Sequence, residues 1–263
     1  MQSSHFPCYN YKLCNCFFTG YLLKKEDLNF NQVVAADWFY TSILIGILFI
    51  AMFYIIGLST QKAGITITTI STKMSVVFPM IFSILYFNES IYAIKIAGMI
   101  LALVSIFLST IKNKAEATSG KNLLFPVVLF LGMGIVDSTV KFNQEKYLLN
   151  TGVIESTTVI FAVSAIIGLF IQLMFNLKKI ERLKIKTIIF GIILGLSNFG
   201  SLYFLILALN SNFLDSSVIF AVNNTAIILI SVLIGSLFFE EKLSTLNWLG
   251  VAVSVVAILS LSI

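Results

Sequence analysis

The chain is poor in charge. Asp, Glu, Lys and Arg make up 11% of its 263 residues and hydrophobic residues 58%, where a soluble domain carries about 25% charged side chains. Too few ionised groups remain to cover a soluble surface, so a lipid bilayer is the expected solvent and an all-α, multi-pass membrane protein the expected class. Histidine is reduced to His5, which cannot supply a catalytic triad or a histidine-based metal site. Cys8, Cys14 and Cys16 match no zinc or haem spacing and read as small hydrophobes. No GxxxxGK[ST] run is present, which argues against ATP-driven work. "GLSNFG" lacks the GxSxG spacing of a nucleophile elbow. No catalysis, metal or cofactor is therefore expected.

Arginine is nearly absent as well. Arg182 is the one arginine among seventeen basic residues, and the net charge is +5. Nucleic-acid sites favour the bidentate guanidinium. Here the basic residues fall mainly between apolar runs, where they face lipid headgroups, and no nucleic acid is expected as partner. No basic stretch precedes the first apolar run, so no signal peptide is expected.

What is present is a series of apolar runs about long enough to cross a membrane. They cover residues 6–23, 38–59, 64–87, 91–111, 123–148, 153–175, 187–209, 214–239 and 247–263. The expectation is about nine transmembrane helices, with no soluble tail after the last.

The runs repeat. "LYFNESIYAIKIAGMILALVSIFLS" from Leu85 matches "LFFEEKLSTLNWLGVAVSVVAILSL" from Leu237, aligning Glu89 with Glu241 and Gly98 with Gly250. "LIGILFIAMFY" matches "ILGLSNFGSLY", aligning Gly46 with Gly195 and Tyr54 with Tyr203. This internal duplication divides the chain into a first copy over 1–111 and a second over 123–263. The second copy has five runs and the first has four. An opening helix is therefore expected to be missing from the first copy, through a late-starting gene model or a truncation.

The paired halves, the Asn88-Glu89 and Glu240-Glu241 turns and the glycine-bearing closing helices resemble the EamA-type drug/metabolite transporter superfamily. The resemblance implies inverted five-helix repeats around a central cavity, moving small organic solutes by alternating access across a cell (inner or plasma) membrane. An odd number of helices per copy puts the two in opposite orientations. The positive-inside rule would place the basic links at 112–122 and 176–186 in the cytoplasm, whereas the resemblance places them outside. Orientation stays open, as do the solute, its coupling ion and the oligomeric state. The alternatives are a non-transporting or truncated membrane protein, and an intramembrane enzyme using Asp137 and Lys73.

Lys73 is the unusual residue. It shares a helical face with Thr66 and Thr69, and at 1.5 Å per residue it lies about 4 Å from the centre of its span. Such a charge costs about 2.5–3.5 kcal/mol to insert and usually marks a pathway. Asp137, at similar depth, is the candidate partner or a proton site, with a local pair to Lys141 as the bland account. In the second copy Thr225 stands opposite Lys73 in the alignment, next to Asn223 and Asn224. Ser197, Asn198 and Ser201 form another polar patch, with Tyr203 nearby. The substrate-binding candidates are Lys73, Asp137, Asn198, Tyr203, Asn223 and Asn224. Interhelical hydrogen bonding is the competing explanation for the asparagines and serines. Gly191 and Gly195 read as a close-packing face, and Pro79 as a bend or a gate hinge. Glu89 and Glu241 read as solvated turns or as a lock between the halves, and Glu155 as a helix-dipole partner.

Overall fold

The computed structural model describes residues 14–17, 19–22, 30–63, 65–88, 92–110, 124–149, 152–176, 185–211, 213–238 and 245–261. Ten helices follow residues 14–17 and 19–22, which are themselves helical. They are α1 (Phe30–Ala35), α2 (Phe39–Ala63), α3 (Ile65–Met74), α4 (Val77–Phe87), α5 (Ala93–Thr110), α6 (Leu124–Tyr147), α7 (Val153–Asn176), α8 (Ile185–Asn210), α9 (Ser216–Phe238) and α10 (Thr245–Leu261). No strand occurs among the described residues. Three segments, Phe39–Ser59, Val153–Ile171 and Gly191–Asn210, are long and apolar enough to cross a membrane. Glu89, Glu240 and Glu241 lie outside the described residues.

Two compact units are present. The first holds the chain up to Tyr54 together with Phe142–Asn210, and the second holds Ile55–Lys141 with Ser211–Ile263. Each unit draws helices from both sequence copies, so the copies are related by sequence and the units by packing.

In the first unit, α2 turns Tyr40, Leu44, Ile47 and Tyr54 outward and keeps Ser42, Ile45 and Met52 inside. That arrangement suits a helix with lipid on one face and protein on the other. Its Gly46 lies so close to the Ile160 carbonyl and the Val163 side chain of α7 that a Cβ would collide with both. Ser164 of α7 donates its hydroxyl to the Gly46 carbonyl at 2.8 Å. The aligned glycine of the second copy, Gly195 on α8, is treated in the same way, since Cys16 donates its thiol to the Gly195 carbonyl at 3.1 Å. Gly191 and Gly195 are both buried, as a close-packing face requires. Residues 14–17 and 19–22, read from sequence as part of the first apolar run, thus pack on α8 as α7 packs on α2. Asn15 adds a bond from Nδ2 to the Ile192 carbonyl at 2.7 Å.

In the second unit the closing helices of the two copies, α5 and α10, form the most extensive helix pair. Gly98, Met99 and Ser105 of α5 are buried, as are Gly250 and Ala257 of α10. Ile94, Ile96, Ile100 and Val104 face outward, and Leu246, Trp248 and Val256 do so at matching positions. Small residues let two membrane helices approach closely, and dispersion between the backbones then holds them. Helix α9 packs against α4 and α5, and α3 against α5.

Candidate functional site

The apolar run at 64–87, expected as one helix, is two. Helix α3 ends at Met74 and α4 begins at Val77. The physical cause is a shortage of donors. Pro79 has no N–H to give to the Ser75 carbonyl four residues back, and that carbonyl instead accepts from Phe78 at 3.0 Å. Two residues earlier Val76 donates to the Lys73 carbonyl at 3.4 Å, and Ser75 turns its own hydroxyl to the Thr72 carbonyl at 2.7 Å. The bonding tightens from i+4 to i+3 over this stretch while Val76 keeps right-handed helical angles, φ −54° and ψ −21°. The helix is interrupted without being unwound. At its other end α4 stops on Asn88, whose φ of 52° and ψ of 39° form a left-handed C-cap, a conformation asparagine tolerates.

Lys73 occupies the last turn of α3. The negative end of a helix dipole favours a cation there, so the break suits a lysine at this position. Asp137 on α6 is an acidic group within electrostatic reach of it. Both side chains are part-buried. Close approach of α6 is secured one turn before Asp137, where Gly134 leaves room for the ring of Phe78. Phe78 also meets Phe130 edge to face at 5.0 Å.

Lys141, which the sequence places at a helix end, is 2% exposed. Its Nζ lies 5.0 Å from the centroid of the Phe87 ring, a cation–π distance. Nothing in the apolar pattern around Lys141 signals this burial, since Phe87 is brought to it by the packing of a different helix.

Asn223 and Asn224 are part-buried on α9. Asn224 gives its amide to the Phe220 carbonyl of its own helix at 3.0 Å. Thr225, the aligned counterpart of Lys73, is 1% exposed, and its hydroxyl has no hydrogen-bond partner among the described residues. The same is true of Ser83 on α4, a helix that packs against α9. The second unit thus holds a lysine and an aspartate within electrostatic reach of each other, an interrupted helix and two buried hydroxyls without a hydrogen-bond partner among the described residues. A dry hydrocarbon environment penalises every one of these features, whereas a small polar solute or water satisfies them.

Asn198 and Tyr203 belong to the first unit, apart from the other four candidates. Asn198 is part-buried, while Ser197 and Ser201 are exposed. Ser197 bonds back to the Ile193 carbonyl at 3.0 Å, the usual solution for a hydroxyl on a membrane helix. Tyr203 stacks on Phe199 at 6.1 Å and 17°, and the series continues through Phe161 to Phe49. These rings join α2, α7 and α8 into one core.

Sequence reasoning missed a polar cluster at one end of the same unit. Thr41 donates to Asn143 Oδ1 at 2.5 Å, Asn143 Nδ2 donates to Ser156 Oγ at 3.1 Å, and Ser156 and Ser42 share a hydroxyl bond at 2.8 Å. Gln144 donates to Asn210 Oδ1 at 2.7 Å, and Asn210 donates to the Leu148 carbonyl at 2.7 Å. The cluster ties the ends of α2, α6, α7 and α8 together. Single serines and asparagines near helix ends look like interfacial residues until their partners are known. Glu155 lies in the first turn of α7, as dipole complementarity favours. Among the described residues no group of three or more His, Cys, Asp or Glu side chains could hold a metal ion.

No protein-family model matches the chain. An uncharacterised protein of Haemophilus influenzae is 30% identical over 249 residues, covering 93% of this chain and 83% of that protein. A protein of known crystal structure superposes with a TM-score of 0.75 at 10% identity, covering 98% of this chain and 88% of its own. At that identity the likeness establishes a shared fold alone.

Proposed function

This chain belongs to the same family as the Haemophilus influenzae protein, and we propose that it is a secondary transporter of small organic solutes working by alternating access. In this reading it is an EamA-type drug/metabolite transporter of about nine membrane helices in a cell membrane, built from two inverted copies. The observation that carries the proposal is the break between α3 and α4 with Lys73 in the last turn before it and Asp137 within electrostatic reach. Repeat transporters build their sites from interrupted helices whose ends face the solute, and an intramembrane ion pair seldom persists without a polar pathway. Lys73 stays charged and alternates between Asp137 and an anionic group of the solute. Supporting this division of roles, each half of a broken helix can shift while its own hydrogen bonds stay intact.

The test is solute flux into proteoliposomes made with the purified full chain, screened over a panel of labelled organic anions and polar metabolites. Uptake that Lys73→Ala abolishes, with membrane expression retained, supports the proposal. Covalent turnover of a solute without flux would instead identify an intramembrane enzyme, and neither activity across the panel would favour a non-transporting membrane protein.

A further inference from the structure

We infer that the last turn of α2 and the whole of α3 form one flap, hinged at the α3–α4 break and latched shut at its tip by Lys62 on the ring of Phe125. The inference goes beyond the proposed function and stands on packing inside the second unit, whatever the chain carries.

The flap is a helical hairpin. Helix α2 ends at Ala63 and α3 starts at Ile65, and the hydroxyls of Ser59 and Thr68 meet at 2.7 Å. Nine residues of one continuous helix would span about 13 Å, so the chain folds back between these two. Both residues are buried, and their hydroxyl bond clasps α3 to the end of α2 out of reach of water. On the α2 side the give comes at Gly57, two residues before Ser59, because glycine is the weakest helix former after proline.

The base of the flap is the break at Ser75 and Val76, where Pro79 withholds a backbone donor. Beyond it α4 is fixed. Phe78 fills the space at Gly134 and meets Phe130 at 5.0 Å, Pro79, Met80 and Ser83 are buried, and the helix packs against α9. Helix α3 lacks such anchorage, its main neighbour being α5. Five of its ten residues, Thr66, Thr68, Thr69, Ser71 and Thr72, bear hydroxyls. Lifting it towards water therefore gives up little apolar burial.

The tip is held more weakly. Lys62 is exposed in the last turn of α2, and its Nζ lies 4.5 Å from the centroid of the Phe125 ring at the start of α6. A cation–π contact open to water is among the weaker ones. Helix α6 belongs to the fixed side through Gly134 and Phe130. Latch and clasp thus differ in strength, so the latch parts first and the hairpin swings as a piece about Ser75 and Val76, admitting water to the break beside Lys73.

Pulsed electron-spin distances in lipid nanodiscs read this motion without a solute. Labels go on Gln61 at the tip and Ile135 on α6, both exposed, in the full chain with its three cysteines replaced by serine. Wild type should show one shorter distance and a minor longer one. Lys62→Gln and Phe125→Leu should each raise the ratio of longer to shorter about two- to fivefold, and the double variant no further, since both remove the same contact. Lys62→Arg, which keeps the cation, should resemble wild type. Thr68→Val should broaden the longer distance, because the end of α2 then moves without α3. A single distance common to wild type and both latch variants overturns the flap. A longer distance that the latch variants leave unchanged overturns the latch, and one that Thr68→Val leaves sharp overturns the clasp. None of these outcomes depends on flux, so the flap and the transporter reading fail separately.

Discussion

The ring of Phe78 occupies the space that a side chain on Gly134 would need. A Cβ at Gly134 would fall within 2.9 Å of the Phe78 Cβ and closer still to its ring. Rotating the ring away cannot relieve the contact with Phe78 Cβ, because that atom is fixed by the backbone. Phe78 lies just past the helix break and Gly134 one turn before Asp137, so this contact holds α6 against the start of α4 beside the break.

Gly134→Ala should therefore act on both stability and function. Overpacking of this kind costs about 1–3 kcal/mol, which thermal unfolding in detergent will register. Transport should fall further than the lost stability explains, since α6 must move away from the break. Retained flux with wild-type unfolding would mean that α4 shifts freely, and that the approach of α6 does not depend on Gly134.

A second prediction concerns the first unit. Ser156→Ala removes the acceptor of Asn143 Nδ2 and one of the two partners of Ser42, which keeps the Trp38 carbonyl, all three residues being 1% exposed or less. Leaving a buried polar group unpaired costs about 1–3 kcal/mol. Ser201→Ala, on an exposed position of α8, should leave the unfolding temperature unchanged. Equal effects of the two substitutions would show that the cluster finds other partners.

Several of these features were legible in the sequence for stated reasons. Scarcity of charge pointed to lipid, and the structure places Leu44, Ile193, Phe204 and many other apolar residues on its surface. The repeat aligned Gly46 with Gly195, and each proves to be a carbonyl that receives a side-chain donor from a neighbouring helix. Lys73 and Asp137 stood out because charge at membrane depth is expensive. The place of the break was not legible. Pro79 announces a missing donor, but the helix yields at Ser75 and Val76, where the carbonyl that lost it lies. Lys141 escaped for a different reason, since its burial depends on an aromatic ring from another helix.

Lys73→Met and Asp137→Leu form a double-mutant cycle that tests whether the pair interacts. Removing Asp137 alone leaves a cation uncompensated, which is worse than removing both charges together. Unfolding of the purified protein should give a coupling energy of about 0.5–3 kcal/mol, the range for residues in contact. Strictly additive losses would separate the two residues, and Lys73 would then need a different counter-charge.

The final prediction separates the helix break from the charges it positions. Pro79→Ala restores an N–H that the Ser75 carbonyl can accept, and it removes the ring that crowds the preceding turn. Helices α3 and α4 should then join more continuously, carrying Lys73 away from the negative end of a half-helix into the interior of a longer one. The dipole contribution at Lys73 weakens accordingly, because it is confined to the last turn. Stability in detergent should hold or rise, since a backbone hydrogen bond is gained, yet solute flux should fall because the two half-helices no longer move separately. Hydrogen exchange at residues 75–80 reads the structural change directly and should slow relative to wild type. If exchange slows while flux is unchanged, the break is a packing feature, and the proposed transport does not depend on it.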